Sequence, residues 1–183
     1  MAEREADALG RDAGGWAGDA AHAWAPDPPA RAAPSIRLRP ARPEDRDFAA
    51  ALYLDSMQKL LGKLGRWDED RVRGRFRKSF RVDRSQIIRC GDADIGWLQV
   101  SETADDFHLH QIHIVERFRN CGIGGKLIAG LLRRAQAAGR PVALNVIRGN
   151  PAMSLYARLG FRPVRADAEK VLMRWEPDPP GGA

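Results

Sequence analysis

Cysteine is scarce in this chain of 183 residues, which has two, Cys90 and Cys121. Two thiols build no disulfide framework and match no metal-ligand spacing, so the sequence predicts a reducing, cytoplasmic setting and no metal. Long apolar runs are missing too. None approaches the ~20 residues of a membrane helix, and the N-terminus lacks the apolar core of a secretory signal. Neither membrane insertion nor export is expected. There is no internal repeat, and the length suits one domain rather than two.

What is present is basic and unevenly distributed. Net charge is +6. Residues 1–34 hold three arginines against six carboxylates, a net of −3, so the remainder carries +9. That favours anionic partners, either nucleic acid or a small anion. Residues 1–34 are rich in Ala, Gly, Pro and Asp, and offer only Leu9, Trp16 and Trp24 as large apolar groups. Such a composition cannot bury enough surface to offset its ordering entropy, so a disordered tail is expected there. A second short tail is expected over 177–183.

Between the tails, over 35–176, hydrophobic periodicity predicts the order β-α-α-β-β-β-α-β-α-β-β. Ile36 and Leu38 alternate as in a strand. Pro43, Glu44 and Asp45 open a first helix. Asp68 caps a second, whose apolar face is Val72, Phe76 and Phe80. Ile87-Ile88 and Ile95 to Val100 flank Gly91-Asp92 as a hairpin. Phe107 to Val115 is a long strand. A helix with Leu127, Ile128, Leu131, Leu132 and Ala135 on one face ends at Gly139 and Pro141. Val142 to Ile147 is a strand, Asn150-Pro151 starts a short helix that ends at Gly160, and two strands close the domain. Mixed helices and antiparallel strands make this an α/β (α+β) domain, with helices packed on a central sheet.

The chemistry concentrates between the long strand and the following helix, in Arg119-Asn120-Cys121-Gly122-Ile123-Gly124-Gly125-Lys126. A P-loop would need Gly at Asn120 and a hydroxyl at Leu127. A dinucleotide fingerprint starting at Gly122 would need Gly at Leu127. Neither fits. The pattern R-x-x-G-x-G fits through Arg119, Gly122 and Gly124. Small residues there let consecutive backbone N–H groups converge on one anion at the positive end of a helix.

With this loop the chain resembles the GCN5-related N-acetyltransferase (GNAT) family, which transfers acetyl from acetyl-CoA to amines. A second block strengthens the resemblance. Asn150-Pro151-Ala152-Met153-Ser154-Leu155-Tyr156-Ala157-Arg158-Leu159-Gly160-Phe161 is similar to the family's N-x-x-A/S-x-x-L-Y-x-x-L-G-F. Together the blocks imply a mostly antiparallel sheet of about seven strands flanked by four helices. They imply acetyl-CoA as co-substrate, with its pyrophosphate on Arg119 to Lys126. Its pantetheine arm would pair with the backbone of Ile112, His113 and Ile114, and Asn150 would touch it. Helix capping alone also accounts for Asn150.

The resemblance gives Tyr156 the role of general acid toward the departing thiolate; a packed core aromatic is the competing reading. One branch of the family uses a Glu base five residues before the block's Asn. Asn145 stands there and cannot accept a proton. His108-Leu109-His110 instead is similar to the H-L-H run of the aralkylamine N-acetyltransferases, whose histidines deprotonate the amine through water. His108 and His110 share one strand face; packing or surface histidines are the alternative. Strict alternation puts His113 on the opposite face, as a structural residue. Tyr53, Met57, Leu61, Leu64 and Trp67 are candidates for the acceptor site. The series from Arg71 to Arg84 reads as a solvated face, with attraction of an acidic acceptor or nucleic acid as the other readings. Nucleic acid is disfavoured because aromatics do not interleave with these cations.

The sequence therefore predicts an N-acetyltransferase acting on a primary amine of a small molecule or peptide, with homodimerisation allowed. A catalytically silent acyl-CoA-binding regulatory module is the rival.

Overall fold

Ile87 and Ile88 are both fully buried although they point to opposite faces of their strand. The sheet is therefore covered on both sides. The computed structural model describes residues 35–179. The tail expected over 1–34 lies outside the described residues, as do 180–183. The strands are β1 (Ile36–Pro40), β2 (Ser85–Cys90), β3 (Ala93–Glu102), β4 (Phe107–Ile114), β5 (Val142–Ile147), β6 (Arg162–Ala166) and β7 (Lys170–Trp175). The helices are α1 (Arg46–Lys63), α2 (Glu69–Ser79), α3 (Ile123–Ala138) and α4 (Ala152–Arg158). They form one seven-stranded sheet in the order β1-β2-β3-β4-β5-β7-β6. Every pairing is antiparallel except β4 with β5.

Local chemistry sets the element ends. Pro43 to Asp45 forms a 3-10 turn ahead of α1. The Asp45 carboxylate accepts the Arg42 N–H at 2.7 Å and both terminal nitrogens of Arg39 at 2.8 Å. Asp68 Oδ1 accepts the Arg71 N–H at 3.0 Å, the capping bond expected from sequence. Gly139 ends α3 in the left-handed region with φ 61°. Asn150 Oδ1 accepts the Ala152 N–H at 2.9 Å, which places Pro151 in the first turn, where its missing N–H costs nothing. At the C-terminus the Gln136 side chain and the Asp178 backbone exchange hydrogen bonds of 3.1 and 2.9 Å.

On one face α1 and α2 bury Tyr53, Val72 and Phe76 against Ile87 and Trp97. On the other, α3 and α4 bury Ile128, Leu131 and Tyr156 against Phe107, Leu144 and Met173. Among the described residues no helix is long and apolar enough to cross a membrane.

Two features of β4 position the site. Gln111 pairs with Gln99 while Leu109 pairs with Val100, so His110 is an extra residue, a β-bulge. And β4 meets β5 only through Phe107–Val142, His108–Ala143 and Leu109–Leu144. Beyond Leu109 the two central strands part and open the sheet.

Candidate active site

The opening between β4 and β5 leads to two cavities that share lining residues. One, of about 440 Å³, runs along the parted end of β4 and is lined by Ile112, His113 and Ile114, by Ser56 and Met57 of α1, and by Gly124 and Leu155. The other, of about 450 Å³, lies under α1 and α2 and is lined by Tyr53, Met57 and Leu61 together with His108, His110 and Asn145. Tyr156 and Asn150 line both.

The glycine loop is built for convergent amides. Asn120 is the one non-glycine residue with positive φ among those described, at 62°, and Gly122 follows at 75°. Asn tolerates the left-handed region better than other side chains, so it can replace glycine at that position. Lys126 N–H donates to Gly122 O at 3.0 Å as the first bond of the α3 ladder. The amides of Ile123, Gly124 and Gly125 therefore have no helical acceptor. A Cβ on Gly124 or Gly125 would meet only Ile114 and Leu155 side chains, no closer than 3.7 Å. Packing within the chain does not require glycine at either position, although glycine costs about 1 kcal/mol relative to alanine in a helix. An approaching ligand would require it.

Arg119 behaves differently from the rest of the loop. Its Nε–H donates to Ile114 O at 2.8 Å, and Nη2 reaches Ser56 Oγ at 3.1 Å and Asp55 at 3.4 Å. The side chain ties the loop to the end of β4 and to α1. Cys121 and Lys126 are exposed, and the Cys121 thiol lies 3.5 Å from Arg119 O.

The His108 and His110 rings are 4.5 Å apart, on the α1–α2 face of the sheet. His108 Nε2 lies 3.4 Å from the Asn145 amide nitrogen and His110 Nε2 lies 2.7 Å from Ser101 Oγ. Burial lowers both histidines below the ordinary imidazole range, and for His110 the neighbouring His108 and Arg84 add to the effect. Both are neutral at pH 7 and able to accept a proton. Tyr156 is 7% exposed, and burial pushes its phenol up to about 12, so it is held protonated.

One expectation needs correction. His113 is not on the face opposite the histidine pair. The bulge at His110 resets the alternation, and His113 packs between Trp97, stacked at 5.2 Å, and Tyr53 at 5.3 Å. It is buried, hydrogen-bonded to Gln111 Oε1 at 2.9 Å, and lowered by burial to about 3. Strand periodicity alone could not reveal a bulge. The Arg71 to Arg84 series is exposed except for the half-buried Arg75, but part of it also borders a cavity. Arg75, Lys78, Arg81 and Arg84 line the α1–α2 cavity, and Lys170 joins them from β7. Spacing gave no signal for this, because α2 ends at Ser79 and Arg81 and Arg84 lie beyond it. Of the candidates for the acceptor site, Tyr53, Met57 and Leu61 line the cavity, while Leu64 is exposed and Trp67 packs against the α1–α2 core.

A mostly antiparallel seven-stranded sheet, opened between its central strands and flanked by four helices, is a GNAT-type fold. The family model for the acetyltransferase (GNAT) domain matches residues 83–163, from the end of the basic series through the tyrosine helix. Among solved structures the fold is similar to the PaiA N-acetyltransferase of Thermoplasma acidophilum in complex with coenzyme A. That likeness has 17% identity and a TM-score of 0.65 over 78% of this chain and 99% of that one. It is similar also to an acetyltransferase of Thermus thermophilus, with 18% identity and a TM-score of 0.60 over 78% and 97% of the two chains. Ard1 of Thermoplasma volcanium shares 15% identity, with a TM-score of 0.57 over 79% and 99%. No curated protein matches the chain. No group of His, Cys, Asp and Glu among the described residues could hold a metal ion.

Proposed function

We propose that this protein is an acetyl-CoA-dependent N-acetyltransferase that moves acetyl to a primary amine by direct attack. The observation that carries the reading is the place of Tyr156, whose phenol stands among the few residues that line both the cavity beside the glycine loop and the cavity beside the histidine pair. One cavity suits a long thin cofactor arm and the other a small acceptor, and the reacting atoms would meet where they join.

The residues present fit acetyl-CoA. The free amides of Ile123, Gly124 and Gly125, with Asn120, Cys121 and Gly122 shaping the turn, would hold the pyrophosphate at the positive end of α3. Lys126 supplies charge, and Arg119, which lines the cavity, keeps the loop tied to β4 and α1. The backbone of Ile112, His113 and Ile114, freed where β4 leaves β5, can pair with the pantetheine amides as an added strand does. Asn150 keeps its cap and faces the same space. Acetyl-CoA bound there supplies the activated acetyl thioester.

The acceptor must attack as a neutral amine, although a free alkylamine has a pKa of about 10. His110, with His108, takes that proton through water, and both are neutral at working pH. Asn145 cannot serve, and orients His108 instead. Tyr156, which stays protonated, gives its proton to the departing thiolate. In a test, the purified chain is incubated with acetyl-CoA and a panel of primary amines, and free thiol and acetylated product are followed together. Stoichiometric appearance of both is expected. Tight CoA binding with no product from any amine would favour the silent acyl-CoA-binding module.

A further inference from the structure

The acceptor cavity is one-sided in charge. Arg75, Lys78, Arg81, Arg84 and Lys170 line it, and no Asp or Glu among the described residues does. The nearest compensation is thin. Glu169 lies 3.6 Å from Arg75 but is shared with Arg66 at 2.8 Å and Arg71 at 3.6 Å. Arg84 meets Asp83 only at 3.7 Å, and no ion pair is formed by Lys78, Arg81 or Lys170 among the described residues.

The wall is also fixed in place. Arg75 and Lys78 stand one turn apart on α2. The chain that carries Arg81 and Arg84 is fastened by Gln99, a residue 4% exposed whose polar groups have been drawn into the core. Gln99 Oε1 accepts the Arg81 N–H at 3.0 Å, and its amide nitrogen donates to Ser79 O at 3.1 Å. Ser85 Oγ donates to Arg81 O at 2.6 Å. A buried amide that clamps the turn between two arginines costs desolvation unless all its bonds are made. Here its work is to hold cations around a cavity.

We propose that the acceptor is a small amine that also carries a carboxylate or phosphate group, bound by this wall with its nitrogen toward His108, His110 and Tyr156. The proposal rests on the acetyl-transfer reading and names its substrate class. The cavity of about 450 Å³ is of small-molecule size. Guanidinium groups suit carboxylate and phosphate oxygens, with charge-assisted hydrogen bonds available from several sides. The same field repels a polycation, so it selects against polyamines and aminoglycosides. It also disfavours a second ammonium in the cavity and so helps present the attacking amine in its neutral form.

The test offers matched acceptors to protein saturated with acetyl-CoA, so that the glycine loop is already filled. Ethanolamine is paired with O-phosphoethanolamine, and propylamine with β-alanine; spermidine is the polycationic control. The anionic member of a pair should show kcat/KM about tenfold higher or more, the worth of one charge-assisted hydrogen bond. The larger of the two gains tells phosphate from carboxylate. The gain should shrink as salt is raised. The double variant Arg81→Gln/Arg84→Gln, whose side chains are surface-exposed, should lose most of the preference with an unchanged dissociation constant for acetyl-CoA. Preference for spermidine or the neutral members overturns the proposal, as does a preference that survives the double variant. Calorimetry on CoA-loaded protein separates the two readings. Binding of O-phosphoethanolamine or β-alanine without any acetylation would sink acetyl transfer and support the anion pocket. Absence of both binding and charge preference overturns the pocket.

Discussion

The His110 ring nitrogen Nε2 lies 2.7 Å from the hydroxyl of Ser101 on the neighbouring strand. The contact follows from the bulge. As the unpaired residue of β4, His110 leaves the regular ladder, and its ring turns toward Ser101 beside His108. A bulge here thus aims a side chain, at the point beyond which β4 no longer pairs with β5.

If the pair relays the amine proton, His108→Gln/His110→Gln should lower kcat/KM with its largest deficit at the acid end of the working range. Both folded-state values lie below the ordinary imidazole value, chiefly through burial. The wild-type pair therefore stays neutral below the ordinary imidazole range, and its contribution fades only as pH falls through those lowered values. A variant that keeps the wild-type pH–rate profile would exclude the relay.

Tyr156→Phe removes only the hydroxyl from a residue that is otherwise packed 5.9 Å from the Phe161 ring. The fold and acetyl-CoA affinity should survive, while kcat falls by ~10²–10⁴, the usual worth of a positioned acid. Single-turnover acetyl transfer decides the matter. An unchanged chemical step returns Tyr156 to the core.

Gly124→Ala should separate stability from binding. The added Cβ finds Ile114 and Leu155 at 3.8 Å, an ordinary contact. Thermal unfolding should show an equal or more stable protein, by up to about 1 kcal/mol. Acetyl-CoA affinity should drop at least tenfold as the methyl intrudes on the anion. Unaltered affinity would show that the loop does not approach the ligand closely.

Cys121 is exposed in the loop, and Cys90 is half-buried at the end of β2. Limited alkylation followed by mass analysis should find Cys121 labelled first and protected by saturating CoA. Equal labelling, or labelling indifferent to CoA, would place the cofactor elsewhere.

His113 should make the fold acid-sensitive. Its folded-state value, lowered by burial to about 3, is well under the unfolded value of about 6.5. Between these the unfolded chain binds the extra proton, so stability falls with falling pH. The slope from this residue is at most about 1.4 kcal/mol per pH unit. His113→Phe, which keeps the stacking on Trp97, should flatten the denaturation midpoint across the window between those two values relative to wild type. Parallel pH profiles would show that His113 is not held neutral.

Much of this molecule was legible in its sequence because its signals are local. Asp68, Asn150 and Gly139 terminate helices through bonds to residues at most a turn away, so their type and position were enough. The glycine turn is likewise a backbone matter. Asn120 occurs at a left-handed position that few other side chains would accept. Tertiary structure alone decided what depends on pairing between distant segments. Nothing within residues 107–114 announces that His110 has no partner, because the bulge is a mismatch with β3, and it moved His113 to the face that strict alternation denied it. The basic series could not be sorted within itself. Arg71, Arg73 and Arg77 border no cavity, while the half-buried Arg75 and the exposed Lys78, Arg81 and Arg84 border one, because α2 lies over the histidine face of the sheet and Gln99 holds its last turn there. Sequence supplied the charges, and packing of α2 on the sheet aimed them.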